Sequence, residues 1–239
     1  MTIEINPTYE HLREWITRLP ETFTRQGEVI YDARNQIRLI TAPDGSNVCV
    51  KRFHAPRCLN KWIYSYFRQP KAVRAYQNAL RLNECGIRTP EGIAYILLSK
   101  RGLLQESYLV SCRSTLTRNM YEFRHHPLEG YEDIVRAFAQ YTAKMHDKGI
   151  LHKDYSPGNI LFDINQDGQV LFDVVDINRM RFGKPVSAKE GCRNFCRLWG
   201  KEDFFTLLAR EYARARGLDE QQCVNWTIKY WRRFWRNRK

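Results

Sequence analysis

The sequence predicts an α+β fold in two lobes, strand-rich first and helical second. Three observations carry this. Short β-branched and aromatic runs, separated by turn residues, fill the stretch up to Cys112 around a single strongly helical segment. A long helical pattern begins at Tyr131, and after one hairpin helical patterns run to the C-terminus. No internal repeat, low-complexity tract or Pro/Gly/Ser-rich linker divides the two parts, so they are expected to form one tightly joined domain over 1–239. The first lobe takes residues 26–113 and the second 114–239, with the boundary near Arg113–Thr115.

In chain order, residues 1–25 read as a lead-in with a short helix over Tyr9–Leu19. Glu28–Tyr31 and Gln36–Ile40 are predicted strands. Asp44-Gly45 is a turn, and NVCVKRF (Asn47–Phe53) is a third strand. PKAVRAYQNALRLNEC is helical over 70–85, with Gly86 as its stop. Ile93–Leu98 and Tyr108–Cys112 complete five strands. Tyr131–Lys148 is a long helix closed by Gly149. A polar loop then leads into a hairpin made of ILF, the turn NQDGQ, and VLFDVVD. Beyond Arg193 the pattern is helical to the end.

Composition narrows the class. With 239 residues, 43% hydrophobic and 27% charged, the chain is long enough for a core and is not disordered. No apolar run reaches the roughly 18 residues a membrane span needs. The N-terminus MTIEINPTYEHLREW lacks the basic-then-apolar order of a signal peptide, so a cytoplasmic location is expected. The seven cysteines at 49, 58, 85, 112, 192, 196 and 223 contain no C-x-x-C pair. Cys192 and Cys196 lie one helical turn apart with no second pair to complete a zinc site, so reduced, mostly buried thiols are expected.

The net charge of +13 predicts an anionic partner. From Gln221 to Lys239 there is no acidic residue, and Lys229, Arg232, Arg233, Arg236, Arg238 and Lys239 alternate with Trp226, Tyr230, Trp231, Phe234 and Trp235. Val224, Ile228, Trp231 and Trp235 share one face of a helix expected from about residue 220. Such a helix either lies on an anionic bilayer or docks its apolar face on the protein body. Nucleic acid is not an expected partner, because no RNA- or DNA-binding module appears.

The chemistry concentrates in LHKDYSPGNILFD (Leu151–Asp163), where His152, Asp154 and Asn159 are spaced H-x-D-x-x-x-x-N. Phosphoryl transfer needs a carboxylate to orient the attacking hydroxyl and take its proton, and oxygen ligands for the Mg2+ that neutralises phosphates. Asp154 suits the first task; Asn159 and Asp176, at the far end of the hairpin, suit the second. Lys51 in VCVKRF matches the strand lysine that contacts α and β phosphates. Each piece alone has a bland explanation as a turn cap or a solvated cation. Their order along the chain is the one a kinase-like fold requires.

These segments resemble the lipopolysaccharide kinase family, which phosphorylates Kdo or heptose of the inner core on a protein-kinase-like fold. The resemblance runs from about Ile30 to Tyr212 and is best in GIRTPEGIAY (Gly86–Tyr95), MHDKGILHKDYSPGNILF (Met145–Phe162) and VVDINRMRF (Val174–Phe182). It implies a β-rich N-lobe, a reduced helical C-lobe and the use of ATP with Mg2+. Asp154 would be the catalytic base, Asn159 and Asp176 the metal ligands, and Lys51 the contact to ATP phosphates. His152 would be a scaffold for the loop.

Several positions depart from the pattern. There is no G-x-G-x-x-G, so the phosphate-covering turn falls to Asp32-Ala33-Arg34-Asn35, with Arg34 supplying charge. The position that should offer a glutamate to Lys51 is Gln77, nine residues before Gly86; it can hydrogen-bond an ammonium but not pair its charge. The metal motif reads D-I-N where protein kinases have D-F-G. No A-P-E follows Asp176, and Ser156 stands where protein kinases place a lysine, which argues against a protein substrate. Arg179 and Arg181, with Lys184, Lys189, Arg193 and Arg197, place charge where an acidic or phosphorylated sugar would lie. The expected partners are thus a lipopolysaccharide precursor, Kdo-lipid A or a core sugar, and the anionic inner face of the inner membrane. Rival readings are an atypical protein or small-molecule kinase, and a pseudokinase that binds anionic lipid.

Overall fold

The computed structural model describes residues 1–54 and 69–236; Cys58, Arg238 and Lys239 lie outside the described residues. Its contacts divide the chain into two units, Met1–Gly86 with Pro90–Ser114, and Ile87–Thr89 with Thr115–Lys239.

The first unit is built on a six-stranded antiparallel sheet of β1 (Thr2–Ile5), β2 (Glu28–Asp32), β3 (Asn35–Thr41), β4 (Asn47–His54), β5 (Gly92–Lys100) and β6 (Leu103–Cys112), in the order β1-β5-β6-β4-β3-β2. Strand alternation sorts β4 between two cores. Val48 and Val50 point to the face covered by α1 (Arg13–Thr22), where Ile16, Leu19 and Phe23 join Ile96, Tyr108 and Val110. Phe53 points to the opposite face, against Ala72, Val73 and Tyr76 of α2 (Lys71–Glu84) and Tyr95 of β5.

Two strands extend beyond what local pattern shows. β1 has four residues and pairs Thr2–Ile5 with Leu97–Ala94 of β5; so short a segment is stabilised by its partner more than by its own propensity. β6 begins at Leu103, five residues before the predicted start. The hairpin pairs Lys100 with Leu103 and Ser99 with Leu104, and the polar Gln105 and Glu106 hide its first half from a hydrophobicity reading.

In the second unit α3 (Glu132–Asp147) buries Ile134, Val135, Phe138, Ala139, Thr142, Met145 and His146. It packs on α5 (Glu202–Ala215), which buries Phe204, Phe205, Leu208 and Tyr212. A fully buried phenylalanine such as Phe138 contributes about 2–3 kcal/mol. α3 ends where Gly149 takes φ of 68°, its N–H donating to His146 O and that of Ile150 to Met145 O, a Schellman stop. Two small sheets follow, β10-β9-β7 (Val170–Val174, Ile160–Ile164, Arg118–Asn119) and β11-β8 (Met180–Arg181, Leu151–His152). The helical end is three pieces: α4 (Ala188–Asn194), α5, and α6 (Glu220–Arg236).

The aromatic stripe of α6 docks on its own unit. Trp231 stacks on Phe205 with centroids 4.6 Å apart, Trp235 lies 5.8 Å from Trp199, and its Nε1–H donates to Leu198 O at 3.3 Å. Of the two alternatives for this face, docking on the protein body is what Trp231 and Trp235 do. Lys229, Arg233 and Arg236 remain exposed. Among the described residues no helix is long and apolar enough to cross a membrane. Cys192 is buried beside Cys223 of α6, and burial pushes its thiol up to about 12.

Candidate active site

Asp154 and Asn159 share one loop, from β8 to β9, whose shape is fixed by side chains. His152 is buried. Its Nδ1 accepts from Asp154 N–H at 3.1 Å, so Nε2 carries the proton that it donates to Val175 O at 3.0 Å. Burial lowers its pKa, which keeps the ring neutral and in that tautomer. Tyr155, also buried, donates its hydroxyl to Thr142 Oγ1 at 2.9 Å, because Thr142 spends its own proton on Phe138 O. The loop is thereby anchored to α3.

Asn159 closes the turn. Its Nδ2 donates to Asp154 O at 2.9 Å, which fixes the amide plane and turns Oδ1 the other way. Its backbone O accepts from Val175 N–H at 3.0 Å, tying the loop to the strand end that leads into Asp176. Asp176 sits in the left-handed region with φ of 53° and ψ of 44°. A non-glycine residue there costs on the order of 1 kcal/mol, and such strain concentrates at functional sites. Asn178, the last letter of D-I-N, donates Nδ2–H to Asp176 Oδ1 at 2.6 Å. Asp154, Asn159 and Asp176 are therefore held by one set of hydrogen bonds, although they come from two separate stretches of chain. The hard oxygen donors of Asn159 and Asp176, one amide and one carboxylate, are of the type that would fit a small cation such as Mg2+.

Two arginines meet Asp154. Arg197, just past α4, bonds Oδ1 through Nη1, and Arg179 Nη1 lies 3.6 Å from Oδ2. Arg179 is delivered by the β11–β8 pairing, which also gives its carbonyl to Lys153 N–H. Arg181, the other arginine expected near the acceptor, is engaged within the protein. It forms a bidentate pair with Glu190, at 2.5 and 2.7 Å, and so braces the segment leading into α4. Residues the sequence did not single out continue the network. Asn194 donates to His152 O at 3.0 Å and accepts from His146 Nε2 at 3.2 Å. Since Asn194 Oδ1 can only accept, His146 Nδ1 must accept from Tyr212 Oη, 2.8 Å away. Burial lowers the pKa of His146 to about 3.

The remaining predicted residues lie in the first unit. Lys51 is half-buried on β4, opposite Ile37 and Leu109. It is on the α2 side of the sheet, its Nζ 5.3 Å from the Phe53 ring centroid. Gln77 is exposed on α2, next to the buried Tyr76. Arg34 lies in the β2–β3 turn and Asn35 opens β3, its carbonyl accepting from Ala33 N–H at 3.1 Å. Arg34 is exposed.

The profile of the lipopolysaccharide kinase (Kdo/WaaP) family matches residues 24–234. The chain belongs to the lipopolysaccharide kinase family. Against individual members, it is 30% identical over 105 residues to a 3-deoxy-D-manno-octulosonic acid kinase of Vibrio parahaemolyticus, a match spanning 44% of this chain and 43% of the relative. Among solved structures it is similar to WaaP in complex with acyl carrier protein, with a TM-score of 0.63 and 18% identity over 98% of this chain and 99% of that one. It is also similar to an amicoumacin kinase, with a TM-score of 0.52 and 12% identity over 92% and 80%. A Rio2 kinase from Chaetomium thermophilum gives 0.50 and 14% over 92% and 68%. These likenesses show that this lipopolysaccharide kinase family member has the protein-kinase-like fold.

Proposed function

We propose that the chain is an ATP-dependent kinase that phosphorylates a hydroxyl of an inner-core lipopolysaccharide sugar, Kdo before heptose, on a glycolipid acceptor. The observation that carries this is that Asn159 bonds Asp154 O and, through its own carbonyl, Val175 just before Asp176, in a family of lipopolysaccharide kinases; Asp154 would serve as base and Asn159 and Asp176 as oxygen ligands. In this reading the acceptor hydroxyl hydrogen-bonds to Asp154. Its oxygen forms a bond to the γ-phosphorus of ATP as the bond from that phosphorus to the β,γ-bridging oxygen breaks. The hydroxyl proton passes to Asp154 and ADP leaves. Asn159 and Asp176 would hold Mg2+, which would supply neutralisation of phosphate charge, and Lys51 would contribute a cation to ATP phosphates. Arg34, exposed in the β2–β3 turn, would contribute charge to the ATP phosphates. The acceptor is presented at an anionic membrane surface on the cytoplasmic side.

The test is transfer of labelled phosphate from Mg-ATP to Kdo-lipid A, with Asp154→Asn and Asp176→Asn as controls. Transfer by the native chain, reduced about a hundredfold or more in Asp154→Asn, is the expected result. The exposed Gln77 in place of an acidic residue favours a second reading, a pseudokinase. Failure to bind Mg-ATP at all would select it; tight binding without transfer would instead mean a different acceptor.

A further inference from the structure

Asp154 is the carboxylate proposed to meet the acceptor hydroxyl, yet both of its oxygens already face a guanidinium. Arg179 comes from the turn after Asp176, and Arg197 from the turn after α4, 43 residues beyond Asp154. Arg197 stands between the buried Phe195 and Leu198, and its guanidinium lies 5.8 Å from the Phe234 ring of α6. One negative and two positive charges leave this spot net cationic, with Lys153 exposed beside it. Orienting a base calls for one donor; two arginines cover it. The Arg197 side chain keeps 34% of its surface open, so a ligand can reach it.

A guanidinium prefers a partner that it can grip with two parallel N–H bonds, whereas it holds Asp154 through a single Nη1 contact. We infer that Arg197, with Arg179, selects an acceptor that carries a carboxylate or phosphate next to the reacting hydroxyl. In the resting protein Arg197 rests on Asp154. When the acceptor arrives, Arg197 transfers to its anionic group and uncovers Asp154 for the hydroxyl. The shared chemistry is an anionic pair of oxygens on the sugar or its lipid anchor. The inference rests on the kinase reading and adds to it a specificity residue that couples acceptor charge to exposure of the base.

The experiment measures kcat and KM for the native chain, Arg197→Gln and Arg197→Lys. Three acceptors are used: Kdo-lipid A, its Kdo carboxamide analogue, and Kdo-lipid A without the lipid A phosphates. The native chain should lose about tenfold to a hundredfold in kcat/KM on one of the two altered acceptors, the range a charge-assisted bond spans. The carboxamide arm reports a carboxylate partner and the dephosphorylated arm a phosphate. Arg197→Gln should erase that preference mainly through KM on the intact acceptor, and Arg197→Lys should restore part of it. Equal loss of kcat on all three acceptors would make Arg197 a brace for Asp154 alone and overturn the inference. So would a native chain indifferent to both changes, or a preference that survives in Arg197→Gln. Absence of transfer by the native chain would instead sink the kinase reading itself. Thermal melting of each variant separates these outcomes from misfolding.

Discussion

Under the candidate loop runs a relay of single hydrogen bonds. Arg216 donates to Tyr212, Tyr212 to His146, His146 to Asn194, and Asn194 to the carbonyl of His152. Every member has one direction open to it, so both histidines must stay neutral. This fixes the sign of a pH effect. The pKa of His146 is lowered to about 3 and that of His152 is lowered as well, both chiefly by burial, whereas an unfolded histidine titrates near 6.5. Below pH of about 6.5 the unfolded chain therefore binds protons that the folded chain refuses, and stability falls as pH falls. By pH 5 His146 alone should remove about 2 kcal/mol. Melting temperature measured from pH 7.5 to 5 should drop on the acid side, and His146→Gln should flatten that slope. At this scale, Asp154, Asn159 and Asp176 were legible because their spacing and order are local. The contact of Arg197 with Asp154 was not, since no periodicity links a residue to a partner 43 positions away; the sequence placed Arg197 only among the basic residues expected around an acidic sugar.

The elements depend on a few close approaches. Gly191 of α4 sits against Tyr212 of α5 so closely that a Cβ would lie 1.9 Å from the Tyr212 hydroxyl and 3.1 Å from His146 Nδ1. Tyr212 is fully buried and has nowhere to retreat. Gly191→Ala should therefore cost about 2–4 kcal/mol by overpacking and by loss of the Tyr212–His146 bond. In a Tyr212→Phe background, which removes the clashing oxygen, the same change should cost less. A double-mutant cycle in denaturant checks this coupling; additive losses would mean that the clash is absorbed elsewhere. Sequence patterns located α2 and α3 because glycines end them, and β3 and β4 because their residues alternate. They did not locate β1, which is held by β5, or the break at residues 195–201 between α4 and α5. Periodicity also shows that α6 has an apolar face, but not what covers it. A bilayer and a neighbouring Phe205 ask for the same stripe.

For the whole chain, a net charge of +13 with Trp231 and Trp235 packed on the protein body predicts that binding to an anionic membrane, as proposed above, would rest on charge more than on ring insertion. Each exposed basic residue near an anionic leaflet contributes about 1 kcal/mol, screened within a Debye length of about 8 Å at physiological salt. Deleting α6 would be a poor test, because Cys223 and Thr227 are buried and Trp231 and Trp235 pack on the protein body. The two roles separate by point changes. Trp231→Ala should lower the melting temperature and leave binding to phosphatidylglycerol vesicles unchanged. Lys229→Glu, Arg233→Glu and Arg236→Glu combined should leave melting nearly unchanged and weaken vesicle binding at least about tenfold. Binding by the native chain should fall steeply with added salt. If the triple reversal left vesicle binding intact while Trp231→Ala abolished it, the helix would have to release its rings to the lipid, and the electrostatic account of the membrane would be wrong.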